Sequence, residues 1–282
     1  MREAIQVHLI EREKKFEKII QDIKDIKIQG ANNIAINGIN AFLLKSDFEN
    51  IKKIYSARPT EPLLQNALKI LEKSSRKTQT ARKLISYIEN SKKQIAHLGA
   101  DLIKDDMNIF SHCHSSTVMD ILKYARKIQK KNFVVYTLEV EPLLQGRKTA
   151  EELAEAGIKV IVFPDLAAEQ AIKKCDLFLF GSDAYLKNAV VNKIGTSMLC
   201  HLAHELKIPA YSCGVSLKYV EKVKIESRSG REVWDEKNSK ITVVNPAFDI
   251  TENKIVTGII SELGILKANT FVKYAKHTIK SF

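Results

Sequence analysis

The chain is poor in the residues that mark several common chemistries. Its four cysteines, Cys113, Cys175, Cys200 and Cys213, are scattered and none forms a CxxC pair, which argues against a disulfide framework. No apolar run approaches the length of about 18 residues needed to cross a bilayer. The opening MREAIQVHLIEREKKFEKII alternates charged with apolar residues and lacks the apolar centre of a signal peptide. These absences lead us to expect a cytoplasmic protein without a membrane partner. There is no GxxxxGK[ST] and no GxGxxG, so no motif supports nucleoside triphosphate or dinucleotide use. RNP and KH signatures are missing as well.

Positive charge is abundant. The 282 residues carry a formal net charge of +12 and a pI near 9.4. Such a balance suits an acidic partner or RNA. The charges are spread along the chain and not clustered with aromatics, which weighs against nucleic acid and reads more simply as a Lys-rich surface. Hydrophobic content of 45% and charged content of 28% are those of a globular protein with a real core.

Residues 1–104 read as a helical domain. IQVHLIEREKKFEKIIQDI repeats apolar residues at three and four. Ser46 or Asp47 can cap a helix over SDFENIKKIYSA, and Pro59 and Pro62 feed another. Near residue 105 the pattern changes, and residues 105–282 form the second expected domain. Short apolar runs at 107–112, 132–139, 158–164, 176–182, 208–213 and 240–246 read as strands. Helical patterns fall at 116–130, 148–156, 166–174 and 195–207. Alternating strand and helix predicts an α/β fold, a Rossmann-like doubly wound parallel sheet. Its ligands gather beyond the carboxyl ends of the strands.

That rule singles out FSHCHSSTV, residues 110–118. Cys113 lies between a strand and a helix. If Ser115 or Ser116 caps that helix, the unpaired N–H groups and the dipole at its start favour a thiolate. Cys113 then serves as nucleophile or base; the plain alternative is a small buried core residue. Metal binding is a poor fit, because consecutive residues His112, Cys113 and His114 point to alternating sides. Cys200 and His204 share a helix face but fall short of the three or four ligands a site needs. FGSDAYLKNAVVNKIGTS, residues 180–197, brings Asp183 to a strand end, then a loop with Asn192 and Lys193, then a Gly195-Thr196 helix start. Such donors can hold a phosphate or carboxylate, and Asp183 suits general acid or base work if burial raises its pKa. A turn aspartate and a surface lysine are the plain alternatives. Arg58, locked before Pro59, suits a phosphate or an interface carboxylate. Arg147 and Lys148 precede a helix and could face an anion or simply solvent. Lys218 in SCGVSLKYV lies past another strand and either reaches the same crevice or stays on the surface.

SARPTEPLLQNAL, SHCHSS, GSDAYLKNAVVNKIGTS, CGVSLKYV and NPAFDIT, in this order, resemble the group containing the α, β and δ subunits of translation initiation factor 2B, methylthioribose-1-phosphate isomerase and archaeal ribose-1,5-bisphosphate isomerase. HCHS points to the isomerase branch. The resemblance implies catalysis by Cys113 and Asp183. It places substrate contacts at Gln29, Gly30, Ala31, Asn32, Arg58, Ser115, Asn192, Lys193 and Lys218. It implies no metal or organic cofactor, and homodimers or homohexamers as the assembly. Two positions depart from the isomerase pattern: Gln29 opens QGAN, and Glu141 precedes Pro142, where that branch carries arginines. Each change removes positive charge from a phosphate site.

The reading that joins these features is an aldose–ketose isomerase of a small phosphorylated pentose, ribose 1,5-bisphosphate to ribulose 1,5-bisphosphate. Cys113 as thiolate removes the C2 proton, and Asp183, protonated by burial, donates to the carbonyl oxygen. The alternative is a non-catalytic regulatory subunit that binds a nucleotide or sugar phosphate and a translation initiation factor.

Overall fold

The computed structural model describes residues 2–225 and 227–282. The described residues divide into two compact units, those up to 90 with 277–282, and those within 91–276. The division falls inside a long helix, upstream of the 104/105 boundary expected from the change of pattern.

The first unit is helical. It contains α1 (Arg2–Lys24), α2 (Ala31–Leu44), α3 (Phe48–Ala57), α4 (Pro62–Lys73) and the start of α5 (Lys77–Asp101). Asp47 caps α3 by accepting from the Asn50 amide at 3.1 Å, and Pro62 fills the first turn of α4, where no N–H partner is required. Along α2 the buried Ile34, Ala35, Gly38, Ile39 and Phe42 share one stripe. Gly38 lets α4 approach: a methyl there would stand 2.2 Å from the Leu64 side chain.

The second unit is built on β1 (Asn108–His112), α6 (Ser116–Lys127), β2 (Val134–Leu138), α7 (Gln145–Glu155), β3 (Lys159–Phe163), α8 (Ala168–Ile172), β4 (Leu177–Gly181), β5 (Ala184–Tyr185), β6 (Ala189–Lys193), α9 (Thr196–Glu205), β7 (Ala210–Cys213), β8 (Ser227–Arg228), β9 (Asn245–Pro246), β10 (Phe248–Glu252), β11 (Gly258–Ser261), β12 (Gly264–Leu266) and α10 (Ala268–Lys280). Seven strands form one sheet in the order β12-β11-β7-β4-β1-β2-β3. All neighbours pair in parallel except β11 with β12. This is the doubly wound order expected from the sequence. Its direction of winding reverses between β1 and β4, which puts the crevice of such a sheet at the ends of those two strands. The apolar runs explain the centre. LFLFG in β4 is buried throughout, and Phe110 of β1 meets Phe178 of β4 edge to face at 5.2 Å.

Three expectations need correction. Residues 240–246 are not a sheet strand: only Asn245–Pro246 pairs, with β8, while Ile241 and Val244 stay 43% and 71% exposed. β-branched composition without burial gives no strand. The sheet is completed instead by β11 and β12, whose four and three residues are too short to show a period. Asn192 and Lys193 are not in a loop. They end β6, the middle strand of a small antiparallel sheet ordered β10-β6-β5. Helix 166–174 is a 3-10 turn followed by the short α8.

Gly146 sets how closely α7 seats on the end of β2. A methyl on it would lie 1.6 Å from the Leu138 carbonyl oxygen, backbone that cannot swing aside. Gly146→Ala is expected to cost at least about 2 kcal/mol in urea unfolding; an unchanged midpoint would contradict this packing.

Candidate active site

The chain leaves β1 through Cys113 in the left-handed region, φ 65°. This geometry costs a residue with a side chain about 1–2 kcal/mol. It turns the thiol off the strand, and Ser115 then caps α6, its hydroxyl accepting from the Val118 amide at 3.4 Å. Ser115 rests against the end of β4, where a methyl on Gly181 would meet its hydroxyl at 2.6 Å. The ends of β1 and β4 are thus locked together, with Asp183 two residues beyond Gly181.

Cys113 is buried, 8% exposed, and its thiol donates to the Gln145 side-chain oxygen at 3.1 Å. Burial pushes the thiol up to about 11. The Lys193 ammonium and the His114 amide oppose that rise and the Asp183 carboxyl adds to it, so both side chains are near enough for their charges to act on the sulfur. The expected helix-stabilised thiolate is therefore not the resting form. Desolvation outweighs the helix terminus, and the proton stays on sulfur at neutral pH.

Asp183 is half-buried, its backbone amide donating to Val191 O at 2.8 Å. With its NH2 group turned toward acceptors, Asn192 donates to Asp183 Oδ2 at 3.2 Å and to Gly181 O at 3.3 Å. Lys193 stands over the Phe248 ring at 5.3 Å. Lys218 is not a surface lysine: it is 6% exposed, on a 3-10 turn after β7, and its ammonium donates to Ser182 O, next to Asp183. The second unit therefore brings Cys113, Ser115, Asp183, Asn192, Lys193 and Lys218 around the ends of β1, β4, β6 and β7. In the first unit, Gly30 starts α2 with φ 81°, a conformation that suits glycine. Ala31 and the buried Asn32 open that helix. Gln29 is exposed, and its amide turns back to Ile26 O at 2.9 Å. Arg58 is half-buried at the end of α3.

Two proposed anion sites are closed by the chain's own groups. Asp249 Oδ2 accepts from the Gly195 and Ser197 amides at 2.8 and 3.0 Å, so the start of α9 is capped from within. NPAFDIT flagged this residue without revealing its task. Arg147 grips Glu139 through Nε and Nη2, at 2.9 and 2.5 Å. Gln145, Thr149 and Asp165 were invisible as site residues. Asp165 accepts from the Val140 and Glu141 amides, both at 2.8 Å, fixing the loop that delivers Gln145. These are contacts between segments far apart in sequence, and no local motif announces them.

His112, Cys113 and His114 go separate ways. His112 Nε2 donates to Ile194 O at 2.9 Å while its Nδ1 is buried without a partner. His114 pairs with Thr149 and Glu152. Cys200 is buried, His204 exposed. Among the described residues no three His, Cys, Asp or Glu stand together as a metal site would require. A cavity of about 1010 Å³ lined by Asn188, Glu252, Lys254, Thr257 and Lys267 among others contains none of the titratable groups above, so the titratable groups, not cavity size, locate the site.

Two measurements check this electrostatic picture. Alkylation of Cys113 by iodoacetamide, followed on its peptide by mass spectrometry, should be slow at pH 7. It should rise with pH until the thiol ionises near 11; a plateau below pH 8 would contradict the buried thiol. Burial also lowers His112 from its usual 6.5 to about 4. The unfolded chain then takes up the proton first, so stability present above pH 6.5 is lost as pH falls toward 4. The loss amounts to about 3 kcal/mol. In urea titrations His112→Gln should flatten this part of the pH dependence; an equal slope in both proteins would contradict it.

Residues 14–268 match the Initiation factor 2 subunit family. A ribose 1,5-bisphosphate isomerase of Methanocaldococcus jannaschii is 32% identical, over 87% of this chain and 89% of that protein. A putative translation initiation factor eIF-2B subunit 2-like protein of Pyrococcus furiosus is 31% identical, over 88% and 95%. The crystal structure of translation initiation factor eIF-2B from Pyrococcus horikoshii superposes with a TM-score of 0.78 at 29% identity, covering 89% of this chain and 96% of that one. Fold, motifs and likeness over nearly the whole length agree: the chain belongs to the Initiation factor 2 subunit family.

Proposed function

We propose that this protein is a sugar-phosphate isomerase that converts a phosphorylated aldopentose to its 2-ketose, with ribose 1,5-bisphosphate to ribulose 1,5-bisphosphate as the favoured pair. The observation that carries this reading is the thiol of Cys113 within electrostatic reach of Asp183 and Lys193 at the sheet's switch point. An isomerisation of this kind needs two groups in opposite protonation states, and cations to hold phosphate. The likeness to ribose 1,5-bisphosphate isomerases over most of both chains supports the substrate class.

Because burial favours the protonated thiol, we take the two roles in the opposite order from the sequence reading. Cys113 donates to the ring oxygen as its bond to C1 breaks. Asp183 removes the C2 proton, and C1 and C2 become joined by a double bond. The C2 hydroxyl proton then returns to sulfur as the ketone forms, and Asp183 delivers its proton to C1. Both side chains end as they began, and the product is an isomer of the substrate. Lys193, Asn192, Ser115 and the buried Lys218 supply donors for the substrate's oxygens. Gln29 and Glu141 bring no positive charge to a phosphate, which favours a substrate held chiefly by these groups.

A second reading, a regulatory subunit that binds a phosphorylated ligand without turning it over, draws on the likeness to eIF-2B-like proteins. Cys113→Ser and Asp183→Asn separate the two. Under the isomerase reading each lowers kcat at least about 100-fold while calorimetric binding of ribose 1,5-bisphosphate persists. Tight binding with no turnover by the unaltered protein would favour the regulatory reading instead.

A further inference from the structure

Three side chains of α7 face the end of β1. Gln145, Thr149 and Glu152 are spaced by four and three, so they form one stripe on the helix. Each meets a different part of Cys113-His114. Gln145 accepts from the Cys113 thiol at 3.1 Å. The Thr149 hydroxyl, 0% exposed, donates to the Cys113 carbonyl at 3.0 Å and accepts from His114 Nδ1 at 3.1 Å. Glu152 lies 3.4 Å from His114 Nε2 and is itself held by Lys123 at 2.7 Å. Gly146, within the same turn, allows the helix to come this near. Cys113 meanwhile has a left-handed backbone that its own side chain disfavours. Something outside the strand must hold it there, and the hydroxyl on its carbonyl is placed to do so.

We propose that Thr149 and Gln145 are positioning residues for the Cys113 thiol: Thr149 fixes the left-handed turn through the carbonyl, and Gln145 aims the sulfur and keeps its proton. Neither carries chemistry itself. The proposal rests on reading Cys113 as the reacting group, and its test has an arm that needs no turnover.

The variants are Thr149→Val, which keeps the shape and removes the hydroxyl, Thr149→Ser, which keeps the hydroxyl, and Gln145→Glu, which sets a negative charge against the sulfur. With ribose 1,5-bisphosphate, Thr149→Val should lower kcat about 100-fold, as a displaced reacting group does, with KM little changed. Thr149→Ser should recover most of that loss. For Gln145→Glu the readout is alkylation of Cys113 by iodoacetamide at pH 9. A carboxylate beside the thiol disfavours the thiolate, so alkylation should slow about tenfold, one pKa unit. Equal kcat losses in the Val and Ser variants would overturn the role of Thr149, as would a fall in melting temperature with kcat unchanged. Unaltered alkylation in Gln145→Glu would overturn the role of Gln145. If the unaltered protein converts no ribose 1,5-bisphosphate, the isomerase reading fails by itself. The alkylation rates of Thr149→Val and Gln145→Glu then decide the positioning claim: altered rates support it and unaltered rates overturn it.

Discussion

The site depends on how the chain leaves β1. A strand residue in extended backbone would point its side chain straight to one face of the sheet. Cys113 instead adopts φ 65°, and this single left-handed residue frees the thiol from the strand and lets Ser115 begin α6 at once. Because β1 is the strand at which the sheet's winding reverses, the same turn delivers the thiol to the crevice that faces β4. The neighbouring contacts follow from it. Ser115 fits only because Gly181 has no side chain, and the residues after β4 then bring Asp183 close enough to act on the sulfur.

Burial governs the chemistry more than helix geometry does. A thiol at the start of a helix is expected to ionise easily, and the capped start of α6 provides that setting. Cys113 is nevertheless enclosed, and the loss of water raises its pKa further than Lys193 and the backbone lower it. The same enclosure keeps His112 neutral. It also leaves Lys218 with a backbone carbonyl as partner, beside Asp183. A buried ammonium gains from an anion nearby, and this is one ground for the proposal of a phosphorylated ligand here.

The fold was legible where apolar runs were long and periodic. The runs around Phe110, Val135 and Phe178 gave strands in the right place, and the spacing of Val118, Ile121, Leu122 and Ala125 gave α6. It was not legible where elements are short or where composition misleads. β11 and β12 show no period, and residues 240–246 look like a strand but remain exposed. Of the site, the residues next to strand ends could be found from local pattern: Cys113, Ser115, Asp183 and Lys193. Asp249 was marked by its motif, but its service to the α9 terminus comes from pairing of β10 with β6. Gln145 and Thr149 reach Cys113 only because α7 packs across β2 toward β1, which no segment of sequence shows alone. The anion sites suggested at Gly195-Thr196 and Arg147 illustrate the converse. A favourable local pattern is silent about the acid elsewhere in the chain that already occupies it.

The central claim is that protons move through Cys113 and the half-exposed Asp183. The most direct test follows ribose 1,5-bisphosphate by NMR during incubation with the protein in deuterated water. A half-exposed carboxyl exchanges its proton with solvent, so the account predicts ribulose 1,5-bisphosphate carrying deuterium at C1. Ketose free of deuterium, its second C1 hydrogen being the one that left C2, would contradict it, since that hydrogen would then have moved without passing through Asp183.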